Sequence, residues 1–204
     1  DDSEFGYIGH HSHTHEYLID MDYSEFVNDI EIATKIFEEN LGYKPEIFSY
    51  PFGEYSKEMK DYISKNFKIG FGQHSGVIDI NKDKFELPRF PINEKYGNLK
   101  RFKSVIQYLP LEYKKLLPEE KKLNSSNNPP EISVEFFTEQ KNIENITCYS
   151  NDGGTWKSPD LNFENKLLKI NFKEKFLPRR GRINCSLNED GKWKWFGTQF
   201  TVKN

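Results

Sequence analysis

The chain has 204 residues with a net charge of -3, and 15% of its residues are aromatic. This length suffices for one large or two small domains, and so much aromatic surface can build a core, which argues against a disordered chain. The slightly acidic balance excludes a general nucleic-acid-binding surface, and no apolar run approaches the roughly 18 residues of a membrane span.

The first third of the chain alternates strand and helix signals. Residues 5–9 predict a short strand, and an amphipathic helix follows from about Tyr23 to Asn40. Residues 47–50 predict a second strand. A second helix is predicted from Ser56 to about Phe67, and residues 68–72 predict a third strand. This alternation is typical of a parallel sheet.

The pattern changes further along the chain. Residues 113–130 have the composition of a linker, at least in their second half, where Asn, Ser and Pro dominate. Residues 131–204 contain short alternating runs separated by Asn, Asp and Gly turns, which predict an immunoglobulin-like β-sandwich. We therefore expect one domain over residues 1–112, a linker, and a second domain over residues 131–204.

The second domain contains both cysteines and a tryptophan pair. Cys148 and Cys185 lie in strand-like runs, too far apart for a zinc knuckle. Two interpretations stay open: a cross-strand disulfide, which would imply an oxidising compartment, or two buried free thiols. Trp193 and Trp195 alternate and share a strand face, which favours sandwich core, although exposed rings could stack on sugars.

Four of the five histidines lie within residues 10–15, and the fifth is His74. His11 and His15 share a face of a helical turn, and His13 joins them on an extended strand. A catalytic zinc site combines neutral imidazoles with a carboxylate and an open water position. The spacing therefore predicts a metal site, against the alternative of a solvated His-rich loop.

The segment from Gly9 to His15 resembles the second motif of the polysaccharide deacetylases (carbohydrate esterase family four), written His-Ser/Thr-x-x-His. The resemblance implies that His11 and His15 bind Zn²⁺ or another divalent transition metal. His13 then occupies a variable position of the motif, and His10 precedes it.

The segment Ser49-Tyr50-Pro51-Phe52-Gly53 resembles the third motif of the same family. In that family this loop forms one wall of the active site, and the resemblance implies that the amide of Tyr50 helps to hold the oxyanion. The family usually has Arg where this chain has Ser49, so an Arg that orients the catalytic base is not expected here.

Two further motifs of the family are not recognisable in this sequence. The first carries adjacent aspartates, one a metal ligand and one the general base. Asp1-Asp2 lies too close to His11 for that role and is interpreted as loop, so we expect the pair in residues preceding this sequence. The family's general acid comes from a late Leu-x-His motif. His74, after a predicted strand, is our candidate for that acid, or else a structural histidine in a turn.

The resemblance implies the C-terminal portion of a deformed (β/α) barrel, which three strands and two helices cannot close by themselves. It also implies a zinc-dependent hydrolase that removes N-acetyl groups from N-acetylhexosamine units of a polysaccharide or related glycan. The alternative is a non-catalytic module that keeps this fold and binds a glycan or a partner protein. A polymeric glycan substrate and the cysteine pair favour a periplasmic, secreted or cell-surface location in a bacterium. The sequence predicts no oligomeric state.

Overall fold

The computed structural model describes residues 6–139 and 142–203. The chain divides into two compact units. The first contains the described residues up to Gln73 together with Lys82–Leu87, and the second contains His74–Asn81 and the residues from Pro88 onward. The division therefore falls well ahead of the expected boundary at residue 112.

The described part of the first unit contains two α-helices and a small parallel sheet. The elements are α1 (Tyr23–Leu41), β1 (Ile47–Ser49), α2 (Lys57–Asn66) and β2 (Ile69–Phe71). Strands β1 and β2 pair in parallel, as the alternation of elements predicts. Among the described residues, no helix has both the length and the apolar character that a membrane crossing requires.

The predicted strand over residues 5–9 does not form in the part that is described. Residues 6–9 belong to no strand, and only His10 pairs with the sheet, through a parallel bridge to Phe48. His10 N donates to the oxygen of Ile47 (2.7 Å), and Ser49 N donates to the oxygen of His10 (2.9 Å). The described residues form no closed barrel, and Asp1-Asp2 lies outside them.

The two helices of the first unit cover the sheet through their apolar faces. Helix α1 contributes Phe26 and Ile30, and helix α2 contributes Met59 and Ile63, all of them buried. These side chains form one cluster with Leu18, Ile19, Phe48, Tyr50, Tyr55 and Phe67. The helical spacing seen in the sequence therefore marks the buried stripe of each helix.

The described part of the second unit contains one short α-helix, α3 (Leu99–Val105), and nine strands. The strands are β3 (Leu109–Pro110), β4 (Lys115–Leu117), β5 (Lys122–Leu123), β6 (Ile132–Glu135), β7 (Thr147–Ser150), β8 (Asp160–Glu164), β9 (Leu167–Asn171), β10 (Arg180–Glu189) and β11 (Lys192–Val202). One sheet has the order β3-β11-β10-β7, with β5 also paired to β11, and the other has the order β4-β6-β9-β8. One buried apolar cluster takes side chains from both sheets, so the unit is β-sandwich-like.

The predicted linker over residues 113–130 is part of this second unit. Strand β4 pairs with β6, and β5 pairs with the end of β11, where Leu123 is buried in the core. The Asn-rich portion is also tied down, because Asn128 exchanges two hydrogen bonds of 2.9 Å with the backbone of Phe176. The linker prediction was wrong because it relied on local composition. Composition does not show that distant strands pair with residues of this range.

The two cysteines form a disulfide. Cys148 of β7 and Cys185 of β10 lie directly opposite each other in the antiparallel register, and both are buried. Of the two interpretations that the sequence left open, the structure therefore shows the bonded one.

The tryptophan pair lies outside the sandwich core, contrary to the favoured interpretation. Trp193 and Trp195 do share a face of β11, but Phe196 and Phe200 occupy the inward positions. Trp195 stacks on Tyr108 with a centroid separation of 5.8 Å, whereas Trp193 is 45% exposed. Alternation predicts a shared face, but it does not reveal which face is covered.

We expect the Cys148→Ala/Cys185→Ala double variant to lower the free energy of unfolding of the second unit. The disulfide links residues separated by 37 positions, and the loss expected for such a loop is about 3–4 kcal/mol. All three tryptophans, at positions 156, 193 and 195, belong to this unit, so urea titration followed by tryptophan fluorescence reports its unfolding. A reductant should lower the wild-type midpoint in the same way and leave that of the double variant unchanged. Equal midpoints for wild type and variant would contradict the prediction.

Candidate metal centre

Residues 10–15, which we call the histidine loop, form a compact turn rather than a strand or a helix. Ser12 and His15 adopt left-handed backbone conformations, with φ of 67° and 56°, and the hydroxyl of Ser12 accepts a hydrogen bond from His15 N (3.0 Å). This turn brings the rings of His11 and His15 together, with a centroid separation of 4.8 Å. Both side chains are exposed, so the predicted ligand pair is assembled and accessible.

The ring of His11 is held in one tautomer. Its Nδ1 lies 2.7 Å from the carbonyl oxygen of Ser49. A carbonyl oxygen only accepts, so Nδ1 carries the proton and Nε2 keeps its lone pair. A hydrogen bond from one ring nitrogen to a backbone carbonyl is the arrangement that orients histidine ligands in metal sites.

The neighbouring His10 has a structural role. Its Nε2 donates to the oxygen of Ile30 (3.2 Å), and its Nδ1 accepts from Ser12 N (3.2 Å). Burial lowers the pKa of His10 to about 4, so the ring is neutral at physiological pH. The ring packs among three aromatic side chains, Phe37, Phe48 and Phe67. Both ring nitrogens are engaged, so His10 supports the loop and has no nitrogen left for a metal.

The carboxylate of Asp29 fixes the far side of the loop. It is buried, 4% exposed, and accepts from His13 N (2.9 Å), Thr14 N (3.0 Å) and the hydroxyl of Thr14 (2.7 Å). Asp29 belongs to none of the motifs in the sequence. The available signal was its position three residues after Phe26, on the buried stripe of α1, where an acid needs hydrogen-bond partners.

The segment from Ser49 to Gly53, which resembles the third motif, begins at the last residue of β1. It forms a tight turn at Pro51–Gly53. The amide of Tyr50 donates to the oxygen of Phe71 (3.0 Å) within the sheet, so this atom is engaged where the resemblance expected an oxyanion donor. The Tyr50 side chain is fully buried, and burial raises the pKa of its phenol well above the ordinary value. The Tyr50 side chain therefore belongs to the buried core of the first unit, and its hydroxyl stays neutral.

Gly53 ends this turn, and no other residue fits there. Its φ of 67° lies in the left-handed region, and a Cβ would come within 2.4 Å of Gln73 N. The preceding residue, Phe52, is also left-handed, with φ of 59°. The ring of Phe52 contacts that of His15 at a centroid separation of 4.9 Å, so the turn and the histidine loop meet at this ring pair.

The candidate acid His74 belongs to the second unit, whereas His11 and His15 belong to the first. His74 is buried, and its carbonyl oxygen accepts from Arg89 N (3.0 Å). Its role as an acid stays a prediction.

The histidine pair fits part of a metal site. Its members are adjacent and exposed, and His11 presents Nε2 as a free ligand atom. Within residues 6–139 and 142–203, no group of three or more His, Cys, Asp or Glu side chains is placed to hold a metal ion. The described residues thus offer two imidazoles, and the carboxylate of a catalytic zinc site is not among them.

Comparison with known proteins supports the resemblance. Residues 4–68 match the family described as Polysaccharide deacetylase, and this stretch, less than half of the chain, contains both the histidine loop and the Pro51–Gly53 turn. The match indicates a deacetylase-type hydrolase domain, whose family implies a glycan substrate. A search of curated proteins found no match.

Among solved structures, the chain is similar to PcoC, a copper resistance protein from Escherichia coli. The likeness has 16% identity and a TM-score of 0.32, and it covers 45% of this chain and 99% of PcoC. A likeness this weak carries no functional information.

We expect the stability of the first unit to depend on pH through His10. Unfolded His10 takes up a proton as the pH falls through about 6.5, whereas the folded ring resists protonation until about 4. The contribution of neutral His10 to the free energy of unfolding is therefore complete above pH 6.5. It is lost as the pH falls toward 4, and the loss is at most about 3 kcal/mol. Urea unfolding followed by circular dichroism at several pH values measures this slope. It should flatten in His10→Gln and persist in His13→Gln, and an equal slope in both variants would contradict the assignment.

We expect Asp29→Asn to loosen the histidine loop. The amide that replaces the carboxylate has one acceptor oxygen for three donors, so the free energy of unfolding should fall by about 2 kcal/mol. Hydrogen exchange followed by NMR should show faster exchange of the amides of His13 and Thr14. Asp61→Asn, an exposed acid on α2, is the matched control and should change neither quantity. Unchanged protection in Asp29→Asn would show that the carboxylate does not hold the loop.

Proposed function

We propose that the chain is a metal-dependent polysaccharide deacetylase that hydrolyses the acetamide of N-acetylhexosamine units in a glycan. The observation that carries the proposal is the hydrogen bond from His11 Nδ1 to the oxygen of Ser49, beside the ring of His15. This bond leaves His11 Nε2 as a free ligand atom in an exposed loop. The family match over residues 4–68 supports the same assignment.

In this proposal, His11 and His15 hold Zn²⁺ or another divalent transition metal. When bound, such an ion acts as a Lewis acid and lowers the pKa of water toward neutrality. The chain contributes the orientation of the ligands: Ser49 fixes the His11 ring, and the ring of Phe52 contacts that of His15. Asp29 and His10 hold the loop between them, so the imidazoles are positioned before any ligand arrives.

The proton transfers need an acid and a base. We assign the acid that protonates the departing amine to His74, on the basis of the sequence. In the family, one aspartate is the base and an adjacent aspartate is the third metal ligand, and we assign neither role to a described residue. The Tyr50 amide would serve an oxyanion only if its bond to Phe71 opened, so we assign Tyr50 to the support of the wall.

We extend the proposal to the fold and the location of the protein. We assign the first unit to part of a deformed (β/α) barrel and the second to an immunoglobulin-like sandwich. The disulfide between Cys148 and Cys185 supports a bacterial periplasmic, secreted or cell-surface location, because such bonds persist in oxidising compartments.

A second candidate function is a glycan- or partner-binding module that keeps the fold without catalysis. The observation in its favour is that the described residues include no three-ligand metal group. The two candidates differ in turnover: either can bind a glycan, but only the enzyme releases acetate.

We expect His11→Ala and His15→Ala to abolish acetate release and to weaken zinc binding by more than the roughly 10–100-fold that the loss of a supporting residue costs. The measurements are zinc titration against a competing chelator and acetate release from N-acetylglucosamine oligomers, with and without that chelator. His13→Ala is the matched control, because its side chain is exposed in the same loop and occupies the variable position. Full zinc affinity and activity in His11→Ala would overturn the site. Binding of the oligomers by the wild-type chain without acetate release would favour the non-catalytic module.

A further inference from the structure

Two aromatic rings stack on each other beside the histidine pair. The rings of Tyr17 and Phe52 have a centroid separation of 4.2 Å and an interplanar angle of 24°. Tyr17 is 38% exposed and Phe52 is half-buried. Among the described residues, the core cluster of the first unit includes neither ring, although Leu18 and Ile19, directly after Tyr17, are both members. The stack is therefore a surface feature next to the core.

The backbone at Phe52 is costly for the residue that occupies it. A left-handed conformation costs a non-glycine residue about 1–2 kcal/mol, and Asn or Gly would occupy it more readily. The turn itself is fixed by Gly53, which has no room for a side chain. A large aromatic residue at such a position indicates that the ring has a use, because strained residues cluster at functional sites.

The stack continues the line of the two imidazoles. The ring of Phe52 lies 4.9 Å from that of His15, which in turn lies 4.8 Å from that of His11. Four rings thus follow one another in the order His11, His15, Phe52, Tyr17. The polar end of this row presents a ligand nitrogen, and the other end presents an apolar aromatic surface.

We propose that Tyr17 and Phe52 form a platform on which the apolar C–H face of a hexosamine ring lies while its acetamide faces His11 and His15. A pyranose ring has C–H groups on its faces and hydroxyls at its rim, so an aromatic surface binds the face and leaves the rim to polar partners. This inference rests on the proposed deacetylase function and names Tyr17 as a residue that determines affinity for the sugar.

The test measures binding of the N-acetylglucosamine tetramer to the full chain by calorimetry, with zinc and with a chelator. Tyr17→Ala should weaken binding about fivefold to tenfold, by the same factor in both conditions, because the stack needs no metal. Tyr17→Phe keeps the ring and should bind within about twofold of the wild-type chain. Zinc affinity should be the same in both Tyr17 variants.

Two further variants separate a platform from a packing effect. Phe52→Asn removes the second ring but accommodates the left-handed backbone, so it should stay folded and also lose affinity for the tetramer. Tyr23→Ala removes an exposed tyrosine at the start of α1 and should leave the affinity unchanged. Equal affinities for wild type and Tyr17→Ala would overturn the platform even if acetate is released. A wild-type chain that binds the tetramer without releasing acetate would overturn the enzyme and leave the platform, whereas no binding and no release would overturn both.

Discussion

The position of the whole histidine loop depends on one buried carboxylate. Asp29 reaches from α1 and accepts three hydrogen bonds from two consecutive loop residues, His13 and Thr14. A buried charge without such partners would be expensive, so the loop and the helix stabilise each other only in this arrangement. The loop also pairs with β1 through His10. Held on both sides, it keeps a tight turn with two left-handed residues that would otherwise open.

Two adjacent histidines of this loop, His10 and His11, have different roles because the first is buried and the second is exposed. His10 points into the aromatic core, donates through Nε2 and accepts through Nδ1, and it stays neutral because burial lowers its pKa. His11 points outward, donates through Nδ1 and keeps Nε2 for a ligand. The same residue type thus supplies a structural link and a candidate ligand at neighbouring positions, and the backbone bridge at His10 separates the two roles.

Features that depend on local spacing could be predicted from the sequence. Helix α1 lies within one residue of its expected range, because its apolar period and its N-terminal capping residues, Asp22 and Glu25, are local signals. The pairing of His11 with His15 followed from a motif. Features set by distant contacts were missed: the strands within residues 113–130, the outward face of Trp193 and Trp195, and the hydrogen bond that engages the Tyr50 amide. Each of these depends on a partner far away in the chain, which no local pattern encodes.

Strand β11 pairs with two segments that lie much earlier in the chain. Short strands β3 and β5 pair with it in parallel near its two ends, and β10 lies along its other side. In the described sheet, β3 and β5 have no other strand partner. Neither β3 nor β5 can therefore pair until the ribosome has synthesised β11. A chain interrupted before Lys192 would leave β3 and β5 without their strand partner and β10 paired with β7 alone.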